Sequence, residues 1–182
     1  MVIEYGYDKL GKFDTVAPGR YHVMVAVVDE NGGYDNASVV VDFDILAGTT
    51  PDQEGKQHRE YLDRTTKSGT GKAMSFYCAV GITSEAELEK CKEEKRNPVI
   101  DTTLAVGRQC CIEIQKEEWN DKKSGEPKSA NKIGFRYFPV DSPKAAGIPI
   151  SQAAAAKAGD SPDPFGASAG EGGEGGEDDI FG

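Results

Sequence analysis

Aromatic rings interleaved with bases are the main chemical signal in this chain. The stretch "KEEWNDKK" sets Trp119 among Lys116, Lys122 and Lys123. "NKIGFRYFPV" sets Lys132 and Arg136 among Phe135, Tyr137 and Phe138. "KQHREYLDR" sets Lys56, Arg59 and Arg64 around Tyr61. This mixture suits a single-stranded nucleic acid. Cations neutralise phosphates and release counterions, and exposed rings stack on unpaired bases whatever their identity. The candidate DNA contacts are therefore Lys56, Arg59, Tyr61, Arg64, Lys116, Trp119, Lys122, Lys123, Lys132, Arg136 and Phe138. Alternation turns Phe135 and Tyr137 inward with Ile133.

Other chemistries fail on inventory. The two histidines, His22 and His58, each fall in a strand pattern and lack metal-ligand spacing. They read as surface or internally satisfied side chains. The four cysteines include no CxxC pair, so a zinc site is not expected, and small buried thiols are. "GTGK", Gly69 to Lys72, has a phosphate-loop look. It lacks the required spacing, and Ala73 stands where a magnesium-binding hydroxyl belongs. The expectation is a non-enzymatic protein with no catalytic residues, no metal and no cofactor.

The elements that must position these residues read mainly as β. Tyr21, Val23, Val25 and Val27 alternate with polar or small neighbours, as do Val39, Val41, Phe43 and Ile45. The turn-rich "ENGGYDN" between them predicts a hairpin. A third strand over 56–66 is polar on both faces, with Tyr61 and Leu62 to anchor it. "KSGTGK" reads as a loop and "KAMSFYCAVGI" as a short helix. Ser84, with Glu87 three residues on, resembles a capping box and starts a second helical segment. Cys110, Ile112 and Ile114 open a fourth strand that runs into Trp119. "NDKKSGEPKSAN" reads as a loop and 132–138 as a fifth strand. Five strands with a helical segment between the third and fourth is the order of an OB-fold, a small Greek-key barrel. Lys56, Arg59, Tyr61, Arg136 and Phe138 are expected on one face of it.

Charge divides the chain. The net charge is −10, of which residues 159–182 carry −7 with eight glycines and no base. That composition predicts a disordered acidic tail. Residues 1–65 carry −6 and residues 66–140 carry +2. The expected organisation is a nucleic-acid-binding domain over 1–140, an Ala- and Pro-containing linker or short helix over 141–158, and the tail over 159–182. No apolar run reaches a membrane span and no signal peptide opens the chain, so a cytoplasmic location is expected.

Three short motifs carry a resemblance. They are Pro18-Gly19-Arg20-Tyr21-His22-Val23, the strand Val41 to Gly48, and Gly55 to Leu62. Together they resemble a phage-encoded family, catalogued as a domain of unknown function, whose genes lie near recombination and replication genes. The resemblance spans about residues 5–140. It implies an OB-fold single-stranded DNA-binding protein of phage replication or recombination, working in the host cytoplasm, with homo-oligomers possible. "EDDIFG" is similar to the acidic, apolar-ended tails of bacterial and phage single-stranded DNA-binding proteins, with Gly182 added after Phe181. It implies a tip of Asp178, Asp179, Ile180 and Phe181 that recruits replication or recombination proteins. The acidity of residues 1–65 favours a second reading, a structural or adaptor protein of a recombination complex that does not bind DNA.

Overall fold

The computed structural model describes residues 15–32 and 38–152. Its centre is a five-stranded antiparallel sheet of order β3-β2-β1-β4-β5. The strands are β1 (Gly19–Gly32), β2 (Ser38–Gly48), β3 (Gln57–Asp63), β4 (Gln109–Asn120) and β5 (Pro127–Ile133). Two helices, α1 (Lys67–Ala79) and α2 (Glu85–Glu93), lie between β3 and β4. The protein is mainly β. Among the described residues, no helix is long and apolar enough to cross a membrane.

Period-two alternation builds one face of this sheet. Tyr21, Val23 and Val25 of β1, Val41, Phe43 and Ile45 of β2, Leu62 of β3 and Cys110, Ile112 and Ile114 of β4 are buried in one cluster. The β1–β2 register shifts at three places. Bulges of this kind bend and twist a strand, and here they curl the sheet. α1 closes the curl by laying Ala73, Phe76 and Tyr77 on the apolar face. Phe76 meets Phe43 edge-on at 5.7 Å and Tyr137 at 5.3 Å, while Phe43 and Tyr137 stack at 6.0 Å. Such pairs contribute about 1 kcal/mol each beyond area burial.

The sheet is open, with β3 and β5 as its edges. Side chains and a terminal segment span the seam in place of a ladder. Glu60 of β3 accepts the Ile133 N–H on Oε2 at 3.1 Å. Lys72 of α1 donates to the Ile133 carbonyl at 2.7 Å and pairs with Glu60 Oε1 at 3.1 Å. Both outward backbone groups of Ile133 are thus satisfied. Farther along, Val16 is buried at the seam. Its carbonyl accepts from Asn131 Nδ2 at 2.9 Å, and the next N–H, of Ala17, reaches Gln53 at 3.0 Å. Burial would push the Glu60 carboxyl up, but His58, Lys72 and the Ile133 N–H hold it below the usual carboxylate range.

The outer side of β1 and β4 carries a second, smaller cluster. Residues 138–151 form a strap across it, burying Ala145 and Ile148 against Cys111, with Phe138 packed alongside. Phe138 and Cys111 exchange backbone hydrogen bonds of 2.8 and 3.0 Å. The Arg20 guanidinium donates to the carbonyls of Lys144 and Ala146. His22, fully buried, accepts the Ser151 N–H on Nδ1 at 3.1 Å and faces Gln109 through Nε2 at 2.9 Å. Its ring is therefore neutral, and burial lowers its pKa despite the Gln109 bond.

Three segments differ from the sequence reading. "KSGTGK" belongs to α1: Thr66 caps the helix by accepting the Gly69 N–H at 3.1 Å. Gly69 is required there, since a Cβ would meet the Asp63 carbonyl at 2.5 Å. The expected loop at 120–131 holds the last residue of β4, a hairpin turn and most of β5, and the expected strand at 132–138 ends at Ile133. Phe135 therefore escapes the alternation that would have turned it inward and is 53% exposed, while Tyr137 and Ile133 are buried. Ser84 caps α2 through the Glu87 N–H at 3.1 Å. The Glu87 carboxylate turns to Arg96 instead of completing the box. In the expected linker, the described residues carry a short 3-10 turn at Pro143–Ala145. The linker beyond Gln152 and the acidic tail lie outside the described residues.

Two groups make stability depend on pH in separate windows. His22 has a folded pKa below its ordinary 6.5, so its contribution is complete above 6.5 and falls away as pH drops through the lowered value. Glu60 has a folded pKa below its ordinary 4.5, so its contribution holds above 4.5 and is lost at lower pH. Glu60→Gln leaves the Lys72 ammonium without its anion and is expected to lower stability at pH 7 by about 3 kcal/mol. It should also flatten the denaturant-midpoint profile below pH 4.5 only. His22→Gln should instead flatten the fall in stability that begins as pH drops below 6.5. Equal profiles in wild type and both variants would show that neither group is coupled to folding.

Candidate nucleic-acid interface

β4 outruns the sheet. Its last partner on β1 is Gly19, opposite Ile114. From Gln115 to Asn120 it pairs only with β5, so the two strands leave the rest of the sheet as a two-stranded arm. Asp121 builds the turn at its tip. Asp121 Oδ1 accepts the N–H groups of Lys123 at 2.8 Å and Ser124 at 3.0 Å, and Oδ2 takes Lys128 at 2.5 Å. Gly125 supplies the left-handed residue, at φ 72°. Lys128 and these N–H groups hold the Asp121 carboxyl at about 2, so the turn keeps its anchor well into acid.

The pairing sorts the arm's side chains by face. Trp119 stands opposite Lys128, with Lys132 farther along the same face. The Lys132 ammonium lies 5.1 Å from the Trp119 ring centroid and 2.8 Å from Glu117. A shallow depression of about 350 Å³ runs between Trp119, Pro127 and Lys128. Trp119 is 40% exposed. Lys116 points to the opposite face and pairs with Glu118 at 2.5 Å. Lys122 and Lys123 are exposed at the tip, with no ion pair among the described residues. Two of the arm's three pairs, Lys116–Glu118 and Lys132–Glu117, join exposed groups, while Asp121 in the third is partly buried. Exposed pairs are worth about 0–1 kcal/mol each.

The remaining candidates lie elsewhere. Arg59 and Tyr61 share the outer face of β3, opposite Asp42 and Val40. Arg59 grips Asp42 through two bonds of 2.7 and 2.8 Å. That bond raises the guanidinium pKa and leaves this face close to neutral. Tyr61 is 52% exposed. Lys56, just before β3, donates to Gln53 at 3.3 Å. Arg64 is exposed on the turn into α1. Arg136 is exposed beyond β5, and Phe138, at the start of the strap, is partly buried. The structure thus brings together Trp119 and Lys132, and separately Arg59 and Tyr61. Asp178, Asp179, Ile180 and Phe181 lie outside the described residues.

Lys128 belongs to this site, and the sequence reading missed it by placing it in a loop. The spacing of Asp121 and Gly125 ahead of "PKSANK" was the available hairpin signal. Other chemistry is sparse. Burial pushes the Cys111 thiol up to about 11 and Cys110 higher still, which disfavours the reactive thiolate. Among the described residues, no group of His, Cys, Asp or Glu could hold a metal ion. Comparison with known protein families and with curated proteins finds no match to this chain.

Asp121→Ala tests how the arm is held. Amide exchange at Lys123 and Ser124 should accelerate at least tenfold, since both N–H groups lose their acceptor. The melting temperature should barely move, because the turn is surface structure. Unchanged exchange would mean that the turn stands without its carboxylate.

Proposed function

We propose that this chain is a sequence-tolerant, non-enzymatic single-stranded DNA-binding protein built on an open OB-type barrel. The carrying observation is the arm, which presents Trp119 to solvent with the Lys132 ammonium at its ring and Lys128 opposite on the partner strand. A partly exposed ring with lysines on the same face suits an unpaired base and its flanking phosphates. The strand order β3-β2-β1-β4-β5, with a helix after the third strand, supports the barrel reading. In that fold the β4–β5 connection is one of the loops that hold oligonucleotides. The family resemblance supports a role in phage replication or recombination. The tip Asp178, Asp179, Ile180 and Phe181 would then recruit partner proteins, with an apolar anchor set among acids.

A second reading has its own support. Arg59 is neutralised by Asp42, and three of the arm's five lysines are ion-paired. A structural or adaptor protein of a recombination complex would need no more positive charge than this.

Titration with oligo-dT separates the two. Trp119, the single tryptophan, should be quenched on binding, and the affinity should fall with salt. Trp119→Ala should weaken binding roughly tenfold, the stacking of about one base. Duplex DNA should bind less well, because its bases are already stacked. Absence of both quenching and a mobility shift at low salt would favour the adaptor reading.

A further inference from the structure

A second groove lies away from the arm, between α1, the start of α2 and residues 135–144. It encloses about 610 Å³. Met74 and Leu88 line it with apolar surface, Arg136 and Lys144 bring positive charge, and Glu85 is the acid. The Phe135 ring lies against α1 at Gly71, where a Cβ would stand 3.2 Å from the ring. Glycine at that position lets the ring approach the helix.

The walls of this groove are fixed before any ligand arrives. The Tyr137 N–H donates to Ser75 of α1 at 3.1 Å, and Phe138 is bonded twice to Cys111. On the strap, Lys144 is held by its backbone. Its N–H reaches Ser142 at 3.2 Å and its carbonyl accepts from Arg20. Its ammonium is left to solvent, and neither Lys144 nor Arg136 has an ion pair among the described residues. Pre-organised walls reduce the ordering cost of binding.

We infer that this groove is a second nucleotide subsite, which takes one or two unpaired nucleotides of the same DNA strand that the arm engages. A base stacks on Phe135 and packs toward Met74 and Leu88. Its phosphates lie on the side of Arg136 and Lys144, because Glu85 repels them from the α2 side. Continuity in the chain favours this occupant: Lys132 of the arm is three residues from Phe135, so the path leads from the root of the arm to the groove. The inference rests on the proposed single-stranded DNA binding. It adds that the strand continues past the arm to the helical side of the barrel, so the site is longer than the arm alone.

The test uses the full chain and oligo-dT of about 5 and about 16 nucleotides, the range for one module of this kind. Phe135→Ala and Phe135→Leu should each weaken the long oligomer about tenfold and leave the short one unchanged. The leucine variant keeps apolar bulk and removes only the flat ring, so a shared loss is not one of folding. Arg136→Ala with Lys144→Ala should lower the log–log salt slope for the long oligomer by about 1.4, at about 0.7 per phosphate on single strands. Photocrosslinking with iodouracil-substituted oligomer should place an adduct at Phe135 as well as at Trp119. If Trp119→Ala weakens binding while both Phe135 variants match wild type at both lengths, the groove is not a subsite although DNA binding stands. If wild type binds neither oligomer, both proposals fall. A Phe135→Ala effect that vanishes when residues 159–182 are deleted would put the acidic tail in the groove and overturn the nucleotide assignment.

Discussion

Glu60 stands where a strongly curved sheet would otherwise leave two raw edges. β3 and β5 share no ladder, yet the backbone groups of Ile133 face the gap between them. An unpaired backbone group removed from water costs as much as a lost hydrogen bond. One carboxylate and one ammonium satisfy both groups and each other. The solution is demanding, because two charges must leave water, and their attraction repays that only when geometry and extra hydrogen bonds are good. Here the carboxylate has Lys72 and the Ile133 N–H, with His58 Nε2 3.7 Å away. Glu60, on β3, thus ties together β3, α1 and the end of β5. The Phe43, Phe76 and Tyr137 rings pack against one another in the core of the same sheet.

The joint explains why the arm is an arm. β5 is anchored at Ile133 and, through Asn131, at Val16. From there to the tip it has β4 alone, and none of its side chains is buried. A two-stranded ribbon is marginal by itself. This one is supported by the buried root at one end and the Asp121 turn at the other. Between them the side chains owe nothing to the core, so their identities can follow a ligand. Trp119 is an expensive residue to leave in water unless something covers it, and it sits on a stretch of sheet that packing does not constrain.

Legibility in the sequence followed burial. β1, β2 and the first half of β4 each bury one face, so apolar residues alternate there and the strands could be read directly. β5 buries only Ile133. Its "PKSAN" offers no alternation, so it reads as a loop and the strand pattern falls on 132–138. The error carried Phe135 to the wrong side and hid Lys128. The start of α1 was lost for a different reason: Gly69 and Gly71 have poor helix propensity. Their value there lies in close approaches to Asp63 and Phe135, which are tertiary contacts. The rings and bases themselves were legible as residue types, but which of them share a face was not. That depends on register, and register in an exposed hairpin is set by its turn.

Charge is arranged so that attraction stays local. The arm holds five lysines against four carboxylates, and the outer face of β3 is neutralised by Asp42. A chain of net charge −10 has no long-range pull toward a polyanion. Under the proposed DNA binding, contacts would be made at short range, where a phosphate displaces Glu117 from Lys132. Each exchange trades one weak exposed pair for another, so the gain per phosphate is small. On that proposal, stacking would carry more of the affinity than charge does. Stacking is blind to sequence but needs unpaired bases, which selects single strands over duplex without any residue that reads a base edge.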